Sequence, residues 1–143
     1  MKKDEKYNVI FLDFDGVINI KADDFSARLE NPDAIFYINK LCLETGFDIV
    51  VCSSWRDHTN YKEFLYEAGL DQSIRILGKT ENFSSGREFE IKKFIQDHNI
   101  DKFIIIDDAY LGKDLTPHHV QPASRLGFTE NKYKEALLKI SKL

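Results

Sequence analysis

The architecture of this chain turns on the stretch Val9-Ile10-Phe11-Leu12-Asp13-Phe14-Asp15-Gly16. Its first four residues are apolar without alternation, which marks a strand buried on both faces, as at the centre of a parallel sheet covered by helices. The run then breaks at two acids and a glycine. Ile49-Val50-Val51-Cys52 repeats the pattern and breaks at Ser53-Ser54-Trp55-Arg56, and Phe103-Ile104-Ile105-Ile106 repeats it again and breaks at Asp107-Asp108.

Segments with helical period separate these runs. Asn31-Pro32 reads as a cap followed by a proline at the first helical position, Ile35, Ile38 and Cys42 recur on one face, and Gly46 supplies the stop. A second helix is expected over residues 61–68, ending at Gly69, with Ile74-Arg75-Ile76-Leu77 as a short edge strand. Ser85-Gly86-Arg87-Glu88 has the form of a capping box opening a helix whose apolar stripe includes Ile91, Phe94 and Ile95. A weaker strand over residues 118–121 and a last helix after Thr129, carrying Tyr133, Ala136, Leu137 and Ile140 inward, complete the order. Strand and helix alternate throughout, so the expectation is an α/β fold: a Rossmann-like, doubly wound parallel sheet of about five strands with helices on both faces, forming one domain over residues 1–143.

At 143 residues the chain can bury a core without disulfides or a structural metal. Its 43% hydrophobic and 31% charged fractions exclude disorder, collagen and coiled coil. A formal charge of −4 argues against a nucleic-acid binder that works through overall charge, while leaving room for a local basic patch. Cys42 and Cys52 sit in apolar stretches without the spacing of zinc ligands or a disulfide framework, and are expected as reduced core residues. Asp13 cuts the first apolar run short, so neither a signal peptide nor a membrane span can be drawn, and a cytoplasmic location is expected.

Ligands of doubly wound sheets bind at the carboxyl ends of the strands, so the polar groups that end the three runs should converge on one edge. Asp13, Asp15, Asp107 and Asp108 gathered there would repel one another, and a hard divalent cation with oxygen ligands, Mg²⁺ by default, relieves that repulsion. In Asp13-Phe14-Asp15 the strand period sends both side chains to one side if the extended backbone continues, and Gly16 lets the chain turn away. A metal-held aspartate can attack phosphorus, and a second aspartate two residues on can protonate the leaving oxygen. An Asp-x-Asp alone reads equally well as a solvated loop or cap; the acid pair at another strand end tips the balance towards the site. His118-His119 is not read as a metal pair, because adjacent strand residues point to opposite faces.

On these residues the chain resembles the haloacid dehalogenase (HAD) superfamily of phosphotransferases. The first signature is Phe11-Leu12-Asp13-Phe14-Asp15-Gly16-Val17, the second Val51-Cys52-Ser53 and the fourth Ile106-Asp107-Asp108, in the family's order and spread over most of the chain. The resemblance implies Asp13 as the nucleophile that becomes phosphorylated. It implies Asp15 as general acid and then base, with its backbone carbonyl on the metal. Asp108 would be a metal ligand, and Asp107 a ligand through water or a supporting acceptor. Ser53, with Ser54 as the alternative, would donate to the phosphoryl oxygen. The family's third signature needs a cation near the start of the helix before the acid-pair strand; Arg87 is favoured, with Lys79, Lys92 and Lys93 as competitors. Arg56 could clamp a second substrate phosphate, Gly16 joins the substrate-binding turn, and Trp55 either stacks on a base or is buried in the core. The order of the acids separates this pattern from receiver domains and from Toprim nucleases.

Residues 17–30 read as one loop and the segment between Ser53 and Arg87 is short, so no separate cap domain is expected and the site should be open. A narrower likeness is to small HAD domains associated with RNA repair and polynucleotide-end phosphatases. The implied activity is Mg²⁺-dependent phosphomonoester hydrolysis, with RNA or DNA 3′-phosphate ends or nucleotides as substrate; no membrane association is expected, and a monomer is favoured while the sequence leaves the oligomeric state open. The alternatives are a small-metabolite or phosphoprotein phosphatase and a non-catalytic binding module on the same fold.

Overall fold

The three unbroken apolar runs are neighbours in one sheet. In the computed structural model, which describes residues 1–21, 28–53, 56, 59–83 and 85–143, the strands are β1 (Tyr7–Leu12), β2 (Asn19–Lys21), β3 (Arg28–Glu30), β4 (Asp48–Val51), β5 (Ile76–Lys79), β6 (Ile100–Ile106) and β7 (His119–Val120). The helices are α1 (Pro32–Thr45), α2 (Tyr61–Glu67), α3 (Arg87–Asp97) and α4 (Glu130–Ser141), with a 3-10 helix at Lys113–His118. The main sheet has five strands, all parallel, in the order β5-β4-β1-β6-β7. The strand order therefore reverses at β1, which opens a crevice outside the carboxyl ends of β1 and β6.

Successive strand side chains point to opposite faces, so each unbroken run feeds two cores. Ile10, Leu12, Ile49, Val51, Ile104 and Ile106 pack with residues of α1, α2 and α4 on one face. Val9, Phe11, Val50, Cys52 and Ile105 pack with Ile91 and Phe94 of α3 and with Leu111 and Leu115 on the other. Phe11 meets Phe94 and Phe103 edge-on, at centroid distances of 5.7 and 5.9 Å. The two cysteines lie in different cores, on opposite sides of the sheet, and both are free thiols. Burial pushes the Cys42 thiol up to about 12 and also raises that of Cys52, as expected of inert core residues.

Four local expectations are corrected. Residues 17–30 are not a single loop: β2 and β3 form a two-stranded antiparallel pair, each strand too short to show a strand period in sequence. The edge strand begins at Ile76, because Ile74 still belongs to a turn in which its amide donates to the Asp71 carbonyl (3.1 Å). Asn31 does not cap α1 through its side chain; its Nδ2 donates to the Leu126 carbonyl (3.1 Å). The capping box does not form, because Gly86 at φ 96° is the cap residue and the helix starts one position too late for Ser85 and Glu88 to pair. Thr129 does cap α4, accepting from the Lys132 amide. Among the described residues there is no separate cap domain, and no helix is long and apolar enough to cross a membrane.

Gly46 ends α1 in the left-handed conformation (φ 74°), with its amide donating to the Cys42 carbonyl (2.8 Å) and open space where a Cβ would stand. Gly46→Ala should therefore cost only backbone strain, about 1 kcal/mol, read as a lower urea midpoint at unchanged slope.

Candidate active site

The ends of the strands are tied together by backbone hydrogen bonds that carry the sheet one step past its regular strands. Thr80 N donates to Val51 O (2.9 Å), Cys52 N to Leu12 O (3.0 Å), Asp13 N to Ile106 O (3.0 Å) and Asp107 N to Val120 O (3.3 Å). Each residue that follows an apolar run is thus held at a set height on the carboxyl edge. Leu12 and Ile106 are register partners, so Asp13 and Asp107 leave the sheet side by side.

Asp13, Asp107 and Asp108 offer carboxylate oxygens that all lie within 4.8 Å of one another. Arg87, the first residue of α3, reaches into this group: its Nη1 stands 2.7 Å from Asp107 Oδ2 and 3.3 Å from Asp13 Oδ2. Burial lifts the Asp13 carboxyl from 3.8 to about 8, the Asp107 charge adds to the rise, and Arg87 opposes it. Burial disfavours the Arg87 charge, yet the Asp107 and Asp13 carboxylates hold its guanidinium above its ordinary value.

The remaining donors fix each acid in place. Asp13 Oδ1 accepts from Phe14 N (2.9 Å). Asp107 Oδ1 accepts from Ala109 N (3.0 Å), and its main-chain carbonyl accepts from His119 Nε2 (2.9 Å). Ser124 Oγ donates to Asp108 Oδ2 (2.6 Å). Both Asp107 oxygens are occupied by protein donors, which suits a supporting acceptor better than a direct ligand.

Asp15 follows the turn, and its carboxylate does not join the acid cluster. Its Oδ1 accepts from Asn19 Nδ2 (3.0 Å), while Asn19 Oδ1 accepts from Gly16 N (3.1 Å). Gly16 has φ 78°, and a Cβ there would overlap the Asp108 carboxylate, so glycine is required both by backbone conformation and by space.

Arg56 is not placed as a substrate clamp. It is 4% exposed, its Nη1 donates to the carbonyls of Cys52 and Ser53 (both 3.0 Å), and its Nη2 pairs with Glu90 Oε1 of α3 (3.0 Å). Glu90 Oε2 in turn accepts from Phe83 N (2.8 Å). This buried pair joins the buried Ser53, the loop before α3 and the helix that carries Arg87. The lysine competitors are engaged elsewhere: Lys79 with the Arg56 carbonyl, Lys92 with Glu88 and Asp114, and Lys93 with Asp97. Ser54 and Trp55 lie outside the described residues. His118 stacks on Phe103 while His119 backs Asp107, so neither forms a metal pair.

Asn19, Glu90, Ser124 and His119 were not singled out in sequence as parts of the site. Glu90 alone had a local signal: a carboxylate on the helix side that also carries Ile91 and Phe94 must find a buried partner.

Hard carboxylate oxygens are what Mg²⁺ takes, so Asp13 and Asp108 suit that ion in donor type, with Asp107 beside them as the supporting acceptor. The raised Asp13 carboxyl is a further sign of charge that a cation would stabilise.

A family described as the HAD domain in Swiss Army Knife RNA repair proteins matches residues 9–133. No curated protein matches the chain.

Glu90→Ala would leave the buried Arg56 charge unpaired and should cost about 3–5 kcal/mol, measured by denaturant unfolding. The raised Asp13 carboxyl predicts a pH effect of definite sign. The unfolded chain loses that proton near 3.8 and the folded chain near 8, so its contribution to metal-free stability falls as pH rises between those values and is level above. Thermal unfolding should show Asp13→Asn removing that slope.

Proposed function

The chain belongs to the family of HAD domains in Swiss Army Knife RNA repair proteins, and on that premise we propose that it is a Mg²⁺-dependent phosphomonoester hydrolase acting through an aspartyl-phosphate on Asp13. The observation that carries the proposal is the meeting of Asp13, Asp107 and Asp108 with Arg87 at the switch point of the sheet.

Asp13, Asp108 and the backbone carbonyl of Asp15 would hold the ion, whose charge would favour the ionised Asp13 and offset charge on the phosphoryl oxygens. The Asp13 carboxylate attacks phosphorus in line with the ester oxygen, the P–O bond to the leaving group breaks, and Asp15 gives that oxygen its proton. Asp15 then takes a proton from the water that attacks the aspartyl-phosphate, releasing phosphate and restoring Asp13. Asn19, bonded to both Asp15 and Gly16, orients this acid and base. Ser53 donates to a phosphoryl oxygen, and Arg87, preorganised by Asp107, stabilises charge that develops there.

The family points to phosphorylated nucleic-acid or nucleotide substrates, and the absence of a cap domain among the described residues fits a phosphate at the end of an extended chain. RNA or DNA 3′-phosphate ends are the preferred class.

A phosphate-ester panel that includes 3′-phosphorylated oligonucleotides tests the proposal. Phosphate release should require Mg²⁺, stop on chelation, and fall roughly 10³-fold or more in Asp13→Asn. Full activity in that variant would refute the mechanism, and a folded protein inert on the whole panel would favour a binding module.

A further inference from the structure

Beside the acid cluster a groove of about 650 Å³ is lined by Asn82, Phe83 and residues 85–88 on one side and by residues 109–112 on the other. Its volume falls within the roughly 300–1,000 Å³ of ordinary small-molecule sites. Arg87, whose guanidinium stands 3.3 Å from the Asp13 carboxylate, lines it, so a phosphate held between Asp13 and Arg87 would lie at the edge of the groove. Resting on the phosphatase reading above, we propose that this groove holds the nucleobase of the substrate's terminal nucleotide, stacked on Tyr110.

Four features of the groove favour that occupant. Tyr110 lies on the loop that follows Asp107-Asp108, and its side chain is 66% exposed, an unusual state for so large a ring. Phe83 lines the groove from the loop before α3, held edge-on by Phe89 at 5.5 Å and 86°. The loop carrying Tyr110 comes close to the first turn of α3 at Gly112, where a Cβ would stand 2.8 Å from the Glu88 carboxylate, which keeps Tyr110 on the groove's side of the loop end. Ser85, exposed on the loop before α3, also lines the groove and brings a hydroxyl that can donate to a base edge or accept from one. The two aromatic rings offer stacking surfaces to any base, since every base has a π-face. That combination suits an enzyme working on chain ends of varied sequence.

Calorimetric titration in Mg²⁺ tests the assignment with a nucleoside 3′-monophosphate, ribose phosphate and a phosphotyrosine peptide, on the wild type, Tyr110→Ala and Tyr110→Phe. Both substitutions are at an exposed ring and should leave the fold intact by circular dichroism. The nucleotide is expected to bind roughly tenfold or more tighter than ribose phosphate; Tyr110→Ala should remove most of that advantage without changing ribose phosphate affinity, and Tyr110→Phe should keep it. No nucleotide binding, equal affinity for the two ligands, an advantage indifferent to Tyr110→Ala, or a Tyr110-dependent preference for the peptide would each overturn the proposal. Ribose phosphate hydrolysis, followed on the same proteins, separates the two readings: base-dependent binding without turnover counts against the phosphatase and leaves the base site standing.

Discussion

Parallel pairing of β1 with β6, regular from Val9 to Leu12, is the constraint on which the site depends. Leu12 faces Ile106 across the ladder, and the next residue on each strand is an aspartate. The backbone bond from Asp13 N to Ile106 O leaves no freedom to separate them along the strand. Two carboxylates are therefore brought together by the same hydrogen bonds that make the sheet, and their repulsion must be met locally. Arg87 meets part of it, and the raised Asp13 carboxyl is the remainder. Folding energy from the two apolar cores holds this charge arrangement in place, a common relation between a stable scaffold and a strained functional site.

Helix α3 links the two halves of that arrangement. Its first residue, Arg87, serves the acids, and one turn later Glu90 serves Arg56. Arg56 binds the carbonyls of Cys52 and Ser53, so the strand end bearing the expected phosphate donor is fastened to the helix bearing the cation. A buried ion pair is a poor source of stability against an apolar replacement, but breaking one partner is costly. Its physical value here is geometric: it fixes the distance between two elements that are separated in sequence and must meet one substrate group.

Core strands were legible because burial on both faces leaves a trace that no solvated segment shares. Val9 to Leu12 have no polar residue between them, since helices cover both sides of the sheet. Elements with weaker burial left weaker traces. β2 and β3, three residues each, are too short to show a strand period, and the start of α3 is not legible because a capping box depends on a one-residue register that propensity does not resolve. Asn31 illustrates the same limit: it stands at the cap position of α1 without a side-chain cap bond, and its amide donates to the Leu126 carbonyl instead.

Asp13, Asp15, Asp107 and Asp108 stand out in the sequence by themselves, because a charged residue that abruptly ends an apolar strand has few structural reasons to be there, whereas Arg87 is marked only by the family resemblance. Their supporting residues do not stand out. Asn19, Ser124 and His119 are ordinary polar residues until the fold brings them against Asp15, Asp108 and Asp107. Arg56 has the chemistry of a phosphate clamp in the sequence, but the fold buries its guanidinium against two carbonyls and Glu90. The linear order of residues determined which groups reach the carboxyl edge of the sheet, since strand polarity and burial pattern are written locally. Which of those groups face one another, and which are turned inward, only the tertiary structure decided, because hydrogen-bond partners are set by distances between elements far apart in the chain.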